Sequence, residues 1–328
     1  MKFYRIFIII ILSFSVAFTI FFGVDKISQK KDLSSNEGYK GIITLWHVDT
    51  FEGGSGSRKN FLLKIARNFE KENKGVLVFV ISHTVESVTK NFSNKIYPDV
   101  ISYGAGVEVE NVVSLPLDYA FKGGVIEKNN IAIPWCRGGY VLIKNNEFGK
   151  KNINKNVCVV SNAEYNLPII SILEFNQKFN LKIKNQFNAY CEFINGQSEY
   201  LLGTQRDVVR LNNRGFNYSM QTLDDYNDVY QYVSVFAGEQ DKVDKSIDFV
   251  NFLLSEKSQT KLNEIDMFSC FYSVEYSTEN MRLMQNAVTS KTISILNKRE
   301  SLLNLKEQCL IAYKGDENAY NKIKNFMI

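Results

Sequence analysis

From Ile42 onward the chain alternates apolar runs of strand length with amphipathic stretches of helical length, and this alternation restricts the fold more than any single motif does. Ile42, Ile43, Leu45 and Trp46 form a strand-like run, the turn FEGGSGSR follows, and Phe61, Ile65 and Phe69 then recur four apart with Leu62 and Ala66 beside them. GVLVFVIS at Gly75–Ser82 is a second strand candidate, a polar helix-compatible stretch runs to Asn94, and PDVISYG at Pro98–Gly104 is a third. Strands separated by helices imply a sheet covered by helices, so the fold class is α/β.

The rest of the chain continues the pattern with a break in the middle. IAIPWCRGGYVLIK (131–144) reads as two extended pieces joined around Pro134 and the Gly138-Gly139 pair, and the Asn- and Lys-rich NNEFGKKNINKN after it marks a domain crossing. VCVVS is a strand, NLPIISILEFNQKF and FINGQSEYLLGTQRDVVRL are expected to be helical, and QYVSVF at Gln231 is extended. Helical intervals dominate from Asp241, and the tail from Thr278 reads as further amphipathic helices. At 328 residues and 45% hydrophobic, the chain is long enough for two globular domains.

The N-terminus bears on location. Lys2 and Arg5 precede the apolar run Ile6–Val24, whose nineteen residues suffice to span a bilayer, so an exported protein held by an N-terminal transmembrane helix is expected ahead of a secreted form cleaved after Ser15-Val16-Ala17. The net charge of +4 is small and its lysines are dispersed, which argues against nucleic acid as a partner. Five widely spaced cysteines without C-x-x-C, and two histidines, His47 and His83, do not make a metal site, and free thiols are expected. No cofactor or metal is implied. G-x-S-x-G and H-E-x-x-H are both missing, and Asp224-Asp225 suits a turn or cap better than a catalytic dyad, so no enzyme is expected.

FEGGSGSR matches neither nucleotide-binding glycine fingerprint. Its glycines and serines allow two readings: a sharp turn with a serine helix cap, or a receptor for one polar ligand group made by helix N–H groups, Ser55, Ser57 and Arg58. The order of segments favours the receptor. ITLWHVDTFEGGSGSRKNFL, PDVISYGAGV, IPWCRGGYVLI, LLGTQRDVVRLNNRG, QYVSVFAG and IDFVNFLLSEKSQTKLNEIDMFS, spread from Ile42 to Tyr276, resemble the extracellular solute-binding proteins of ATP-driven sugar importers, the maltose-binding-like class.

That resemblance implies a two-lobe periplasmic-binding-protein-like fold (type II) with mixed sheets flanked by helices, preceded by the N-terminal helix. With the N-terminal apolar run as signal anchor (1–25) and the polar stretch after it as linker (26–39), it implies 40–132 and 236–300 as the first lobe, 133–235 as the second and 301–328 as C-terminal helices. The function implied is capture of a solute, a sugar or sugar-like compound, by a monomer that presents it to the permease of an ABC importer. A membrane-tethered sensing or protein-interaction module of the same fold is the alternative. The usual lipobox cysteine is missing, which fits retention of the N-terminal helix. The ligand-binding residues implied are Glu52, Gly54, Ser55, Ser57 and Arg58 on the turn, Trp46 and Tyr103 on the strands beside it, Trp135, Arg137 and Tyr140 at the first crossing, and Gln205 and Arg206 from the second lobe, with Trp135 stacking on the sugar across the cleft from the turn.

Overall fold

The computed structural model describes residues 39–116, 121–126, 129–149, 156–287 and 291–328. The expected anchor, Ile6–Val24, lies outside the described residues, and among those described no helix is long and apolar enough to cross a membrane.

Two five-stranded sheets organise the chain. The first contains β1 (Gly41–Val48), β2 (Val76–His83), β3 (Val100–Tyr103), β6 (Ile133–Arg137) and β12 (Tyr230–Val235) in the order β2-β1-β3-β12-β6. The second contains β7 (Tyr140–Asn145), β8 (Val157–Asn162), β9 (Asn180–Asn185), β10 (Tyr200–Thr204) and β11 (Tyr218–Thr222) in the order β11-β7-β10-β8-β9, while the two-residue strands β4 (Val125–Ile126) and β5 (Asn129–Asn130) pair with each other. The helices are α1 (Arg58–Glu72), α2 (Val85–Ser93), α3 (Gln186–Ile194), α4 (Gln205–Asn213), α5 (Gln240–Leu254), α6 (Glu256–Gln259), α7 (Glu279–Asn286), α8 (Arg299–Tyr313) and α9 (Glu317–Phe326). This is the expected two-lobe α/β architecture with mixed sheets.

In the first lobe β1 runs parallel to β2 and β3, and β12 runs antiparallel to β3 and β6. Ile43, Leu45 and Val48 of β1 are fully buried, and α1 covers the sheet with the stripe Phe61, Leu62, Ile65, Ala66 and Phe69 that its four-residue spacing dictates. Phe69 meets Phe249 and Phe252 of α5 edge-on, at 5.4 and 5.6 Å between ring centres. The second lobe's core joins Val141, Ile143, Val159, Phe193, Leu201 and Leu211 to Phe268, Val274, Tyr276, Met281 and Met284 from farther along the chain.

Several expectations change. YLLGT is strand β10 between α3 and α4 rather than part of one long helix, because Asn195-Gly196 ends α3 with Gly196 at positive φ. NLPIISILEFNQKF supplies only a 3₁₀ turn, Pro168–Ile172, and the chain then enters β9, since a run so apolar is buried without needing a helical period. β6 and β12 lie in the first lobe's sheet, so that lobe takes in both ends of the 133–235 range, and the crossings fall at Gly138-Gly139 and at 223–229. Residues 274–284, expected in the first lobe, pack into the second lobe's core, and a third crossing lies at Phe268, which exchanges backbone hydrogen bonds with Arg137.

Candidate functional site

Parallel strands β1 and β3 end at the same edge of the first sheet, where β12 begins. Open α/β sheets present ligands at this edge. The backbones there are close: a Cβ on Gly104 would lie 2.1 Å from Thr50 Oγ1 and 3.2 Å from the Tyr230 carbonyl oxygen, so only glycine fits. The turn after β1 leads into α1, whose N-cap Ser57 accepts a hydrogen bond from the Asn60 N–H at 3.2 Å.

A cavity of about 430 Å³ opens at this turn, lined by residues 49–53 and 56–58 of the first lobe and by Gln186 and Arg206 of the second. Arg58 is 3% exposed. Its Nε donates to Asp49 Oδ1 at 2.8 Å, Nη2 reaches the same carboxylate and the Phe51 carbonyl oxygen at 2.5 Å, and the guanidinium lies 4.0 Å from the centre of the Phe51 ring. Arg58 Nη1, although buried, has no hydrogen-bond partner, and neither has Thr50 Oγ1. Across the cleft, Arg206 Nε and Arg210 Nη1 pair with Glu52 Oε2 at 3.0 and 3.1 Å, Arg206 Nη1 donates to the Gly54 carbonyl, and the Glu52 N–H donates to Gln186 Oε1 at 3.1 Å.

A buried chain of hydrogen bonds holds Arg58 from behind. Trp135 Nε1–H and Gln231 Nε2–H donate to Ser102 Oγ at 3.0 and 3.1 Å, the Ser102 hydroxyl meets His47 Nδ1 at 3.1 Å, and His47 Nε2 meets Asp49 Oδ1 at 3.0 Å. With Ser102 already accepting twice, the network assigns the His47 proton to Nε2. Burial lowers the His47 pKa and keeps the ring neutral, although its hydrogen bond to Asp49 and that carboxylate's charge act the other way. At Asp49 partial burial opposes ionisation, but the hydrogen bond from His47 and the charge of Arg58 outweigh it and hold the carboxyl well below the usual range. Buried Asp207 is pushed up to about 6 by desolvation, against the Thr204 N–H that it accepts at 3.0 Å and the charge of Arg210.

Of the residues expected to bind ligand, the structure gathers Glu52, Ser57, Arg58 and Arg206 around the cavity. Gly54 and Ser55 sit on the same turn but face Ile265 and Asp266: a Cβ on Gly54 would lie 1.8 Å from the Ile265 carbonyl oxygen, and Ser55 Oγ donates to the Asp266 carboxylate. Arg137 lines a different cavity of about 530 Å³, with its guanidinium donating to the Gln285 carbonyl at 2.6 Å. Five expectations are corrected by burial. Trp135 is fully buried and stacks on Phe61 at 5.7 Å in the first lobe's core; Trp46 packs on His83 at 4.3 Å; Tyr103 bonds Ser234 at 3.0 Å; Tyr140 donates to Asp228 at 2.5 Å; and Gln205 accepts the Gly139 N–H at 3.0 Å. Each aromatic lies on a strand face sealed by neighbouring elements, and Gln205 is consumed by the crossing. Asp49, Thr50, Phe51 and Gln186 were missed. The first three directly follow β1, a position that itself signalled the strand's C-terminal edge.

No family model matches the chain, and no curated protein matches it. Solved structures do. The GacH receptor of Streptomyces glaucescens GLA.O, described unliganded and in complex with acarbose, superposes with a TM-score of 0.60 at 14% identity, covering 88% of this chain and 98% of that one. The maltose-maltodextrin binding protein of Alicyclobacillus acidocaldarius gives 0.55 at 12% identity, with 87% and 100% covered. The fold is the type II periplasmic-binding fold. A two-component system protein in signal transduction shares this fold with a TM-score of 0.53 at 15% identity, over 81% of this chain and all of that one. Within this fold the cavity lies between the two lobes and is lined from both.

Proposed function

We propose that the protein is an exported binding protein that captures a small polar solute, a sugar or sugar-like compound, between its lobes and delivers it to the permease of an ABC importer. The observation that carries this reading is the cavity of about 430 Å³ at the C-terminal edge of the first sheet, walled by the Asp49–Arg58 turn on one side and by Gln186 and Arg206 on the other. Its size falls in the ordinary range for small-ligand sites, about 300–1,000 Å³. A solute that touches both walls favours the closed arrangement by its differential affinity, and closure then signals occupancy to the permease. The sugar-type ligands named for the GacH receptor and the maltose-maltodextrin binding protein support the solute class. Retention at the membrane by Ile6–Val24 belongs to the same proposal.

Small-angle scattering with and without a panel of sugars tests the central claim, with compaction expected for the cognate solute. A protein that shows no compaction or heat of binding with any member, yet binds a membrane kinase or another envelope protein, is instead the sensing module to which the two-component neighbour corresponds. A mature N-terminus at Phe18 in the soluble fraction overturns the anchor.

A further inference from the structure

Arg58 stands where elementary electrostatics disfavours it. It is the first residue of α1, at the positive end of the helix dipole, with no acidic residue in that first turn. It is 3% exposed, and its Nη1 is buried without a partner. Gln186 is the first residue of α3 and Arg206 the second of α4, so three helix N-termini, each of a helix of nine residues or more, meet at one cavity. The positive ends of their dipoles and the two guanidinium groups all favour negative charge at one place. The anion nearest this place comes from the protein itself. Glu52 reaches from the first lobe and lies within 3.1 Å of both Arg206 and Arg210, while Asp49 is already committed to Arg58 and His47.

We infer that the solute is an acidic sugar, that its carboxylate is received by Arg58 Nη1 and Arg206, and that Glu52 is a built-in carboxylate which occupies the second lobe's arginines until the solute displaces it. This rests on the solute-binding reading above and narrows its substrate class. The carboxylate is preferred to a phosphate because Glu52 already places a carboxylate oxygen 3.0 and 3.1 Å from Arg206 and Arg210. Asp49 and Thr50 on the same wall leave acceptors for the sugar hydroxyls.

The test is calorimetry on the full exported chain with matched sets: glucose, glucuronate and glucose 6-phosphate, then galactose and galacturonate. The uronate of at least one set is expected to bind tenfold or more tighter than its neutral partner, with an affinity that falls as salt rises. Arg58→Ala should weaken the uronate at least tenfold. Because that variant strands Asp49, Arg206→Gln, at a side chain 28% exposed, provides a second reading and should weaken it about as much. Glu52→Gln, which removes the competing carboxylate, should tighten uronate binding several-fold. Neutral sugars binding as tightly as their uronates, the phosphate binding in preference to the uronate, or Glu52→Gln weakening the uronate would each overturn the assignment while leaving the solute-binding reading intact. Silence from every compound, with no compaction in scattering, overturns both.

Discussion

The turn at 49–58 and the crossing at 135–140 are made of similar chemistry, arginine and large aromatics beside glycine, yet the structure uses them in opposite ways. On the turn, Arg58 and Phe51 stack at the wall of a cavity and an arginine nitrogen is left without a partner. At the crossing, Trp135 and Tyr140 are at most 3% exposed and every polar atom described for them is bonded inward, to Ser102 and to Asp228. Asp228 in turn accepts from Tyr226, Asn166 and the Leu167 N–H, so a buried carboxylate ties both crossings to the second lobe. The unsatisfied donor of Arg58 lies at a cavity wall, whereas the indole and phenol of the crossing are spent inside the packed core.

The widest separation between the two regions should come from Trp135→Ala. Loss of a fully buried indole stacked on Phe61 should lower stability by about 3–5 kcal/mol in chemical denaturation, with solute affinity unchanged for the molecules that remain folded. Reduced affinity at unchanged stability would return Trp135 to the cleft and erase the contrast.

Next in size is a pH effect that asks how sealed the second lobe's wall is behind the cavity. Asp207 is pushed up to about 6 in the folded protein from an ordinary value near 3.8. A carboxyl raised in this way binds its proton more tightly when folded, so its stabilising contribution is full below about pH 4 and is lost as pH rises through 6. At about 1.4 kcal/mol per pKa unit, the stability of the parent relative to Asp207→Asn should fall by up to about 3 kcal/mol between pH 4 and 7. A difference that stays constant across that range would show the carboxyl to be as well hydrated as in the unfolded chain.

The two adjacent glycines of the first crossing make the smallest and finest test. A Cβ at Gly138 would lie 2.5 Å from Gln205 Oε1 and 2.7 Å from Val229 Cγ1, whereas at Gly139 nothing lies closer than 3.8 Å. Gly138→Val should therefore lower stability by about 1–3 kcal/mol by overpacking, and Gly139→Ala should stay within about 1 kcal/mol of the parent by thermal melting. Equal losses at both would mean that the crossing is constrained by backbone conformation rather than by Gln205.

The legible part of the site was its backbone logic. A polar, glycine-rich turn after the first strand of an α/β sheet lands at the carboxyl edge whatever its side chains do, so Glu52, Ser57 and Arg58 were readable, whereas Arg206 came from the family resemblance alone. Asp49 was readable by the same rule and was passed over. The aromatics were not readable, because a tryptophan that stacks on a sugar and one that stacks on Phe61 have the same local sequence signature. Nor were β9 and β10, where pairing with β8 fixes the mostly exposed NLKIKN, and pairing together with burial fixes YLLGT.

The sequence by itself determined the alternation of strand and helix, the apolar stripes that bind α1 and α5 to their sheet, the caps that start the helices and the polar turn that follows β1. These depend on spacing and on residue chemistry within a few turns of chain, where periodicity is enough. Tertiary structure alone decided which lobe each crossing strand joined, that Trp135 should close a core, and that Glu52 should meet Arg206 and Arg210 from residues more than 150 positions away. Those outcomes depend on which faces of distant elements exclude water from one another, and burial of that kind is a property of the packed pair, carried by neither segment alone.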